Sequence, residues 1–448
     1  MLINTPVARF AIATAGIAGA TFAYHSKREQ HKPSADMNVT LAASAAALDS
    51  PAAYGAPLTP PPVSSDEQKA FLDQSAQTAW AFIRRNYQPN TGLVVAHETY
   101  QFVTVWDIAS TLAGYYAAHQ LGLTTDADYH DRMTRALETL RDAPLYDGKA
   151  FNKLYDARSG SMVGRNEERS SSGYGWSTLD TGRLLIWLKI LAQSDPTLAP
   201  LAEQVVSRLK LDAMVHDGYL QGRDIDLRTG KPGDYQEGRL GYEQYAAQGF
   251  AAWGEQAKHA LEFSNARVVT TDGYTFPADK RGGDLLTSEP FILMGMELGW
   301  RTPDWQKYAR MVFDAQQQRF EKTGVMTMTS EDAIPEPPAY FYYYLLYRDG
   351  KPFVVTTPSG AAAPHGVRWV SAKAAFGWHA LLPSNFTWQA LQTVRNAEAP
   401  NRGWTAGVFE NSKQSTRSFN LNTAAIVLEA VLYAQRHCPL IETSCGAG

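Results

Sequence analysis

A chain of 448 residues, 44% hydrophobic and 19% charged, is long enough to bury a large core, and a formal charge of −4 leaves no basic footprint for nucleic acid. Its two cysteines, Cys438 and Cys445, exclude a disulfide framework and allow at most one terminal loop-closing bridge, formed in an oxidising compartment. No clustered Cys/His spacing, nucleophile elbow or phosphate-binding glycine loop is present, so neither a metal ion nor another cofactor is expected.

Arg9 precedes an apolar run, 10–23, whose end, Thr21-Phe22-Ala23, fits a signal-peptidase site. The run is shorter than the ~20 residues of a comfortable membrane span, and Lys27 and Arg28 directly after it count against efficient cleavage. Residues 1–25 therefore read as a signal peptide or signal anchor. Either reading places the protein in the periplasm or outside the cell, the second with an inner-membrane tether. Residues 26–65, with Pro and Ala runs and Pro60-Pro61-Pro62, read as a flexible linker. One domain, 66–437, and a short tail, 438–448, follow, with no central linker to divide them.

Within the domain, helical runs come in pairs. A short polar turn joins the members of a pair, and a long aromatic-rich segment separates one pair from the next. The first run is 66–85. The run 107–120 ends at Leu121-Gly122-Leu123, where Gly122 suits a left-handed C-terminal position and Thr125 suits the cap of the next helix. The run 178–193 stops at Ser194-Asp195-Pro196, 241–259 reads as one helix, and 286–300 stops at Arg301-Thr302-Pro303-Asp304. The run 371–382 stops at Pro383-Ser384 and resumes at 385–396; 418–437 is the last. Apolar residues keep the helical period: Leu112, Tyr115, Tyr116 and His119 share a face, as do Leu184, Leu185, Leu188 and Leu191, and Ile426, Val427, Ala430 and Val431. Strand signals are confined to pieces such as 268–276 and 353–357. The pattern predicts an all-α fold of eleven or twelve helices, an (α/α)6 barrel or toroid with long loops and short β-hairpins gathered on one face.

Chemistry is expected where the long loops enter helices. Asp107 beside Trp106, Asp180 after Ser177-Thr178, Glu243 with Glu237 just before it, and Glu289 in Thr287-Ser288-Glu289-Pro290 each put a carboxylate in or near a first turn. Any one of them is explained by helix capping alone. Four on one predicted rim, among Trp106, Tyr174, Trp176, Tyr235, Tyr242 and Tyr274, point to a sugar cleft, because aromatic faces cover sugar rings and glycoside hydrolysis needs two carboxyl groups. Asn152, Lys153, Arg183, Glu237, Arg239, Asp284, Trp404, Asn411 and Asn422 are the expected sugar-binding partners. Glu289, with Pro290, Phe291 and Ile292 to desolvate it, is the first candidate for general acid and Asp107 for base; Asp180 and Glu243 are the alternates. His216, His259, His365 and His379 are scattered and read as structural, and Asp279 with Asp284 matches no calcium loop.

Val105-Trp106-Asp107-Ile108-Ala109-Ser110, Leu179-Asp180-Thr181-Gly182-Arg183-Leu184, Leu240-Gly241-Tyr242-Glu243-Gln244-Tyr245-Ala246-Ala247 and Ser418-Phe419-Asn420-Leu421-Asn422-Thr423 with Val427-Leu428-Glu429-Ala430 together resemble a bacterial domain-of-unknown-function family. That family is glucoamylase-like and associated with envelope and exopolysaccharide proteins. The resemblance spans roughly residues 66–435; it implies an (α/α)6 barrel and assigns no activity. More distantly, Thr287-Ser288-Glu289-Pro290 before an apolar helix is similar to a Ser-Glu segment of glucoamylase-like β-glucan hydrolases, the β-1,2-glucanases among them. This implies acids at the barrel mouth.

The expectation is an exported glycoside hydrolase acting on a glucan or bacterial exopolysaccharide, with a polysaccharide or oligosaccharide as its partner. A non-catalytic polysaccharide-binding envelope protein is the alternative. A polysaccharide lyase comes third, supported only by the cluster Tyr340-Phe341-Tyr342-Tyr343-Tyr344.

Overall fold

Twelve helices are present among residues 58–364 and 366–445, which a computed structural model of the chain describes. The expected signal segment 1–25, the linker as far as 57, and His365 lie outside the described residues. In chain order the helices are α1 (Ser65–Asn86), α2 (Val105–Gln120), α3 (Asp126–Asp142), α4 (Thr178–Ser194), α5 (Ala199–Ser207), α6 (Tyr242–Ala252), α7 (Lys258–Leu261), α8 (Glu289–Leu293), α9 (Pro303–Thr323), α10 (Ala372–Leu381), α11 (Asn385–Val394) and α12 (Leu421–Arg436). Most start on a residue whose side chain accepts a hydrogen bond from a free amide of the first turn: Ser64, Thr104, Thr125, Ser177, Thr302, Ser384 and Asn420.

The even-numbered helices are buried on nearly every side. Every residue of α4 from Thr178 to Leu188 is buried, as is nearly all of α12 from Leu421 to Leu432. By contrast, α3 buries one stripe, Tyr129, Met133, Ala136, Leu137 and Leu140. A helix apolar all round belongs inside, and one with a single apolar stripe belongs outside. The contacts agree: α2, α4, α6, α8, α10 and α12 each pack on the next, and α12 packs back on α2, while the odd helices lie against them. One hydrophobic cluster runs through the domain from Phe71 to Leu440.

Where α4 crosses α6 the backbones touch. A Cβ on Gly249 would come within 2.0 Å of the Gly182 carbonyl oxygen, and one on Gly182 within 2.4 Å of the Ala246 carbonyl oxygen. Gly249→Ala is therefore expected to push the two helices apart and cost about 1–3 kcal/mol, read as a lower urea midpoint; an unchanged midpoint would contradict the close crossing.

Three expectations are corrected. Among the described residues 44% are helix and 20% strand, mostly helical as expected but with more strand than an all-α fold with a few short hairpins implies. The expected pieces 268–276 and 353–357 fall on strands, in the hairpin of Ala266–Thr271 with Tyr274–Asp279 and in Lys351–Thr356; the other strands gave no signal because many are two or three residues long and because Gly222 interrupts the run Tyr219–Ile225. The run 241–259 is not one helix: α6 ends at Ala252, Gly254 turns the chain with φ of 91°, and α7 is a single turn. The run 286–300 begins later, at Glu289, because Pro290 has no amide to donate and is tolerated only in the first turn of a helix. It then widens into a π turn, Met294–Leu298, that turns Glu297 into the core.

Cys438 and Cys445 are paired. The segment beyond α12 is tied back to the π turn, with the Leu440 and Ile441 amides donating to the Met296 and Glu297 carbonyls at 2.8 and 2.9 Å. Among the described residues no helix is long and apolar enough to cross a membrane.

Candidate active site

The first turns of the even helices hold polar groups, and those of α6, α8, α10 and α12 contribute to one connected cluster. At its centre is Glu289, the first residue of α8, fully buried. Its carboxylate is ion-paired with Lys373 from the first turn of α10. It also accepts from Asn422 Nδ2 of α12 at 2.7 Å and from the Ser330 hydroxyl at 3.2 Å. Both Glu289 oxygens are thus engaged. Lys373 also lies 3.5 Å from Asp332, which accepts from Trp369 Nε1 at 2.8 Å and the Ser371 hydroxyl at 2.9 Å. Buried among Asp332, Glu289 and Glu331, the Lys373 ammonium is held charged, its pKa raised by those carboxylates against the cost of burial.

Glu331 crowds the same place. The Tyr242 hydroxyl, from the first turn of α6, donates to it, and so does the Thr287 hydroxyl at 3.0 Å. Burial first, then the neighbouring Glu289, push the Glu331 carboxyl up to about 8; burial likewise raises Asp332 to about 6.

Arg183 of α4 forms the floor. Fully buried, it donates to the Ser110 hydroxyl of α2 at 2.7 Å, to Asn422 Oδ1 at 2.9 Å and to Glu429 of α12 at 3.2 Å. Its Nε lies 3.7 Å from Glu297, and its guanidinium stacks 4.9 Å from the Trp106 ring. Glu297 in turn accepts from Trp187 Nε1 at 2.8 Å and from the Tyr245 hydroxyl. Because Asn422 accepts from Arg183 and donates to Glu289, it relays the floor to the site.

Asp180 and Asp107 flank this cluster. In Asp180, Oδ1 accepts from the Ser177 hydroxyl at 3.0 Å, and Oδ2 has no hydrogen-bond partner among the described residues. Burial, reinforced by Glu237, raises its carboxyl to about 7. Glu237 is held by the Thr178 amide and hydroxyl at 2.5 and 2.8 Å, and Lys153, paired with Asp224 at 2.8 Å, reaches Tyr235 at 3.2 Å beside it. Asp107 is half-buried. Its Oδ2 closes a capping box with the Thr104 amide and hydroxyl at 2.9 and 2.8 Å, while Oδ1 is unpartnered among the described residues. Burial raises its pKa, and Thr104, Arg183 and Lys373 act against that rise.

Other expected site residues do different work. Glu243 is not part of the cluster: both oxygens are engaged by Gln236 at 2.7 Å and Arg281 at 2.6 Å, and burial raises its carboxyl to about 7. Arg239 clamps loops through the Gly282 and Gly238 carbonyls and Gln236. Asp284, raised by burial to about 6, accepts from the Asp279 amide. Asn152 uses its whole amide on backbone, donating to the Leu154 and Val163 carbonyls and accepting from the Tyr174 amide. Trp176 is buried, bonded to the Gln221 carbonyl and covered by Arg223; Tyr174 is buried with the Arg165 guanidinium over it. Trp404 packs on Phe376 and donates to the Ser75 carbonyl of α1, so it is core and not cleft. Asn411 is exposed on a loop. Asp279 is taken by Arg281, and among the described residues no group of three His, Cys, Asp or Glu side chains is placed to hold a metal ion.

Sequence reasoning missed Lys373, Ser330, Glu331, Asp332, Glu297 and Glu429. Only Lys373, two residues after Ser371 at a helix start, followed the rule used to find the others. The rest lie on the strand Glu331–Ala333, directly before it or in mid-helix, where no local signal marks them.

Solved structures with the same fold are glucoamylase-like. A candidate glucoamylase from Bacteroides caccae aligns with TM-score 0.60 at 13% identity over 84% of this chain and 95% of its own. An endo-β-1,2-glucanase from Chitinophaga pinensis, in complex with sophorotriose and glucose, aligns with TM-score 0.56 at 12% identity over 85% and 96%. A mutant endo-β-1,2-glucanase from Talaromyces funiculosus, in complex with β-1,2-glucan, aligns with TM-score 0.57 at 14% identity over 82% and 84%. At such identities the likeness shows the fold alone. Among curated proteins no relative matches. Residues 74–437 match the family described as protein of unknown function DUF3131, and the chain belongs to that family.

Proposed function

We propose that this protein is an exported glycoside hydrolase that cleaves a glucan, with β-1,2-glucan as the first substrate to consider. Its even helices form the inner ring of an (α/α)6 toroid, and the site lies at the N-terminal end of that ring. The observation that carries the reading is the pairing of two unequal carboxyls at neighbouring first turns. Asp180 keeps a proton to about pH 7 and has an unengaged oxygen; Asp107 is fixed by its capping box and also has one oxygen unengaged. Asp180 Oδ2 gives its proton to the leaving glycosidic oxygen, and Asp107 Oδ1 takes a proton from the attacking water. Glu289, with both oxygens occupied, is better suited to holding Lys373 and Asn422 in place than to donating a proton. The likeness to endo-β-1,2-glucanases favours the substrate class. The Cys438–Cys445 pair favours an oxidising compartment, periplasmic or extracellular.

New reducing ends released from β-1,2-glucan, with β-1,3-glucan and cello-oligosaccharides run beside it, test the reading. Cleavage of β-1,2-glucan is expected. Binding without release from any of the three would instead make this a non-catalytic polysaccharide-binding protein.

A further inference from the structure

Four tyrosines lie in the run from Tyr340 to Tyr344, at the start of the strand Phe341–Arg348. Three have partners: the Tyr340 hydroxyl meets His97 Nε2 at 2.8 Å, Tyr342 donates to the Glu336 carbonyl at 2.5 Å, and Tyr344 donates to Glu410 at 2.6 Å. Tyr343 is fully buried, yet its hydroxyl has no hydrogen-bond partner among the described residues. Strand alternation turns it to the face opposite Tyr342 and Tyr344, and the register sets it directly across from Glu331. Its ring packs on Phe341 with centroids 5.4 Å apart. Burial and the fields of Glu331, Asp180 and Glu289 raise its pKa well above the ordinary value, so the phenol stays protonated and keeps a proton to donate. An unpaired buried hydroxyl is destabilising, and phenylalanine would fill the same volume without that cost. The one unsatisfied phenol of the run faces the place where the carboxyls meet.

We propose that the Tyr343 hydroxyl contacts the substrate, donating a hydrogen bond to an oxygen of the sugar unit lying between Asp180 and Glu289. This rests on the glycoside hydrolase reading above.

Tyr343→Phe removes that donor and nothing else. Its kcat/KM on β-1,2-glucan is expected to fall about 10–100-fold. Added to Asp180→Asn, it should weaken the binding of a β-1,2-linked glucose oligosaccharide about tenfold, with a melting temperature equal to or above that of the parent. Unchanged turnover and affinity would overturn the proposal. So would lost activity accompanied by a lower melting temperature and unchanged affinity, which would mark Tyr343 as a packing residue. A wild-type protein that neither binds nor cleaves any glucan would overturn the hydrolase reading and this inference with it, whereas a cleaving wild type with an indifferent Tyr343→Phe overturns this inference alone.

Discussion

Asp180→Asn is expected to lower kcat on β-1,2-glucan by about 10²–10⁴-fold, the usual contribution of a general acid. The loss should shrink on an aryl glycoside whose leaving group departs without a proton. The alkaline limb of the kcat/KM profile, set near pH 7 by Asp180 in the wild type, should vanish in the variant. Glu289→Gln provides the control. It should lose activity on both kinds of substrate, since its oxygens hold Lys373 and Asn422 and its role is positional. If Glu289→Gln, and not Asp180→Asn, is the variant spared on the activated substrate, the proton donor is Glu289 and the assignment made here fails.

Stability should move the other way. The folded-state pKa of Asp180 lies above its ordinary value, so the native state binds this proton more tightly than the unfolded chain. The stabilisation is complete below the ordinary carboxyl range and is lost as pH rises toward about 7, where a buried charge must form. Asparagine never ionises. At pH 8 the urea midpoint of Asp180→Asn should therefore equal or exceed that of the wild type, and at pH 4 the two should converge.

Arg183→Met is expected to cost about 3–5 kcal/mol, the usual penalty for removing one partner of a buried ion pair. The guanidinium is fully buried, and its removal takes the cation from Glu297 and Glu429, the donor from Glu429, and one bond each from Asn422 Oδ1 and the Ser110 hydroxyl. Burial already raises the carboxyls of Glu297 and Glu429, and without the cation each should rise further and take up a proton. The deficit in urea midpoint should consequently be smaller at pH 5 than at pH 8, and adding Glu429→Gln should recover part of it. A deficit under about 1 kcal/mol at pH 8 would mean that the floor of the site is held by packing alone.

Pairing of helices, their caps and the polar first turns of α2, α4, α8 and α12 were all legible in the chain, because each depends on groups within four residues of one another. Thr104 with Asp107 and Ser177 with Asp180 are examples: a side chain satisfies an amide that the helix itself leaves free. The aromatic residues were less legible. Trp106 and Tyr242 do reach the cluster, whereas Trp176 and Trp404 are consumed by packing, and nothing in their local surroundings separates the two fates. Likewise Asn152 looked like a sugar ligand until its amide proved to be fully used on three backbone groups.

Which acids share a site was decided only by the tertiary structure. Local capping places a carboxyl at a helix start whether it faces a cluster, as Glu289 does, or an arginine of its own loop region, as Glu243 does. The bonds that make the difference join residues far apart in the chain: Asn422 reaches Glu289 across 133 positions and Arg183 reaches Glu429 across 246. Glu331 and Tyr343 face each other through strand register, a relation that pairs residues across a turn and leaves no periodic mark in either segment. The amino-acid order by itself therefore determined the helices, their pairing and the end at which polar groups gather, through short-range hydrogen bonding and apolar periodicity. The constellation of the candidate site, and the burial that raises the carboxyl of Asp180, exist only once distant helices have closed around one another and excluded water.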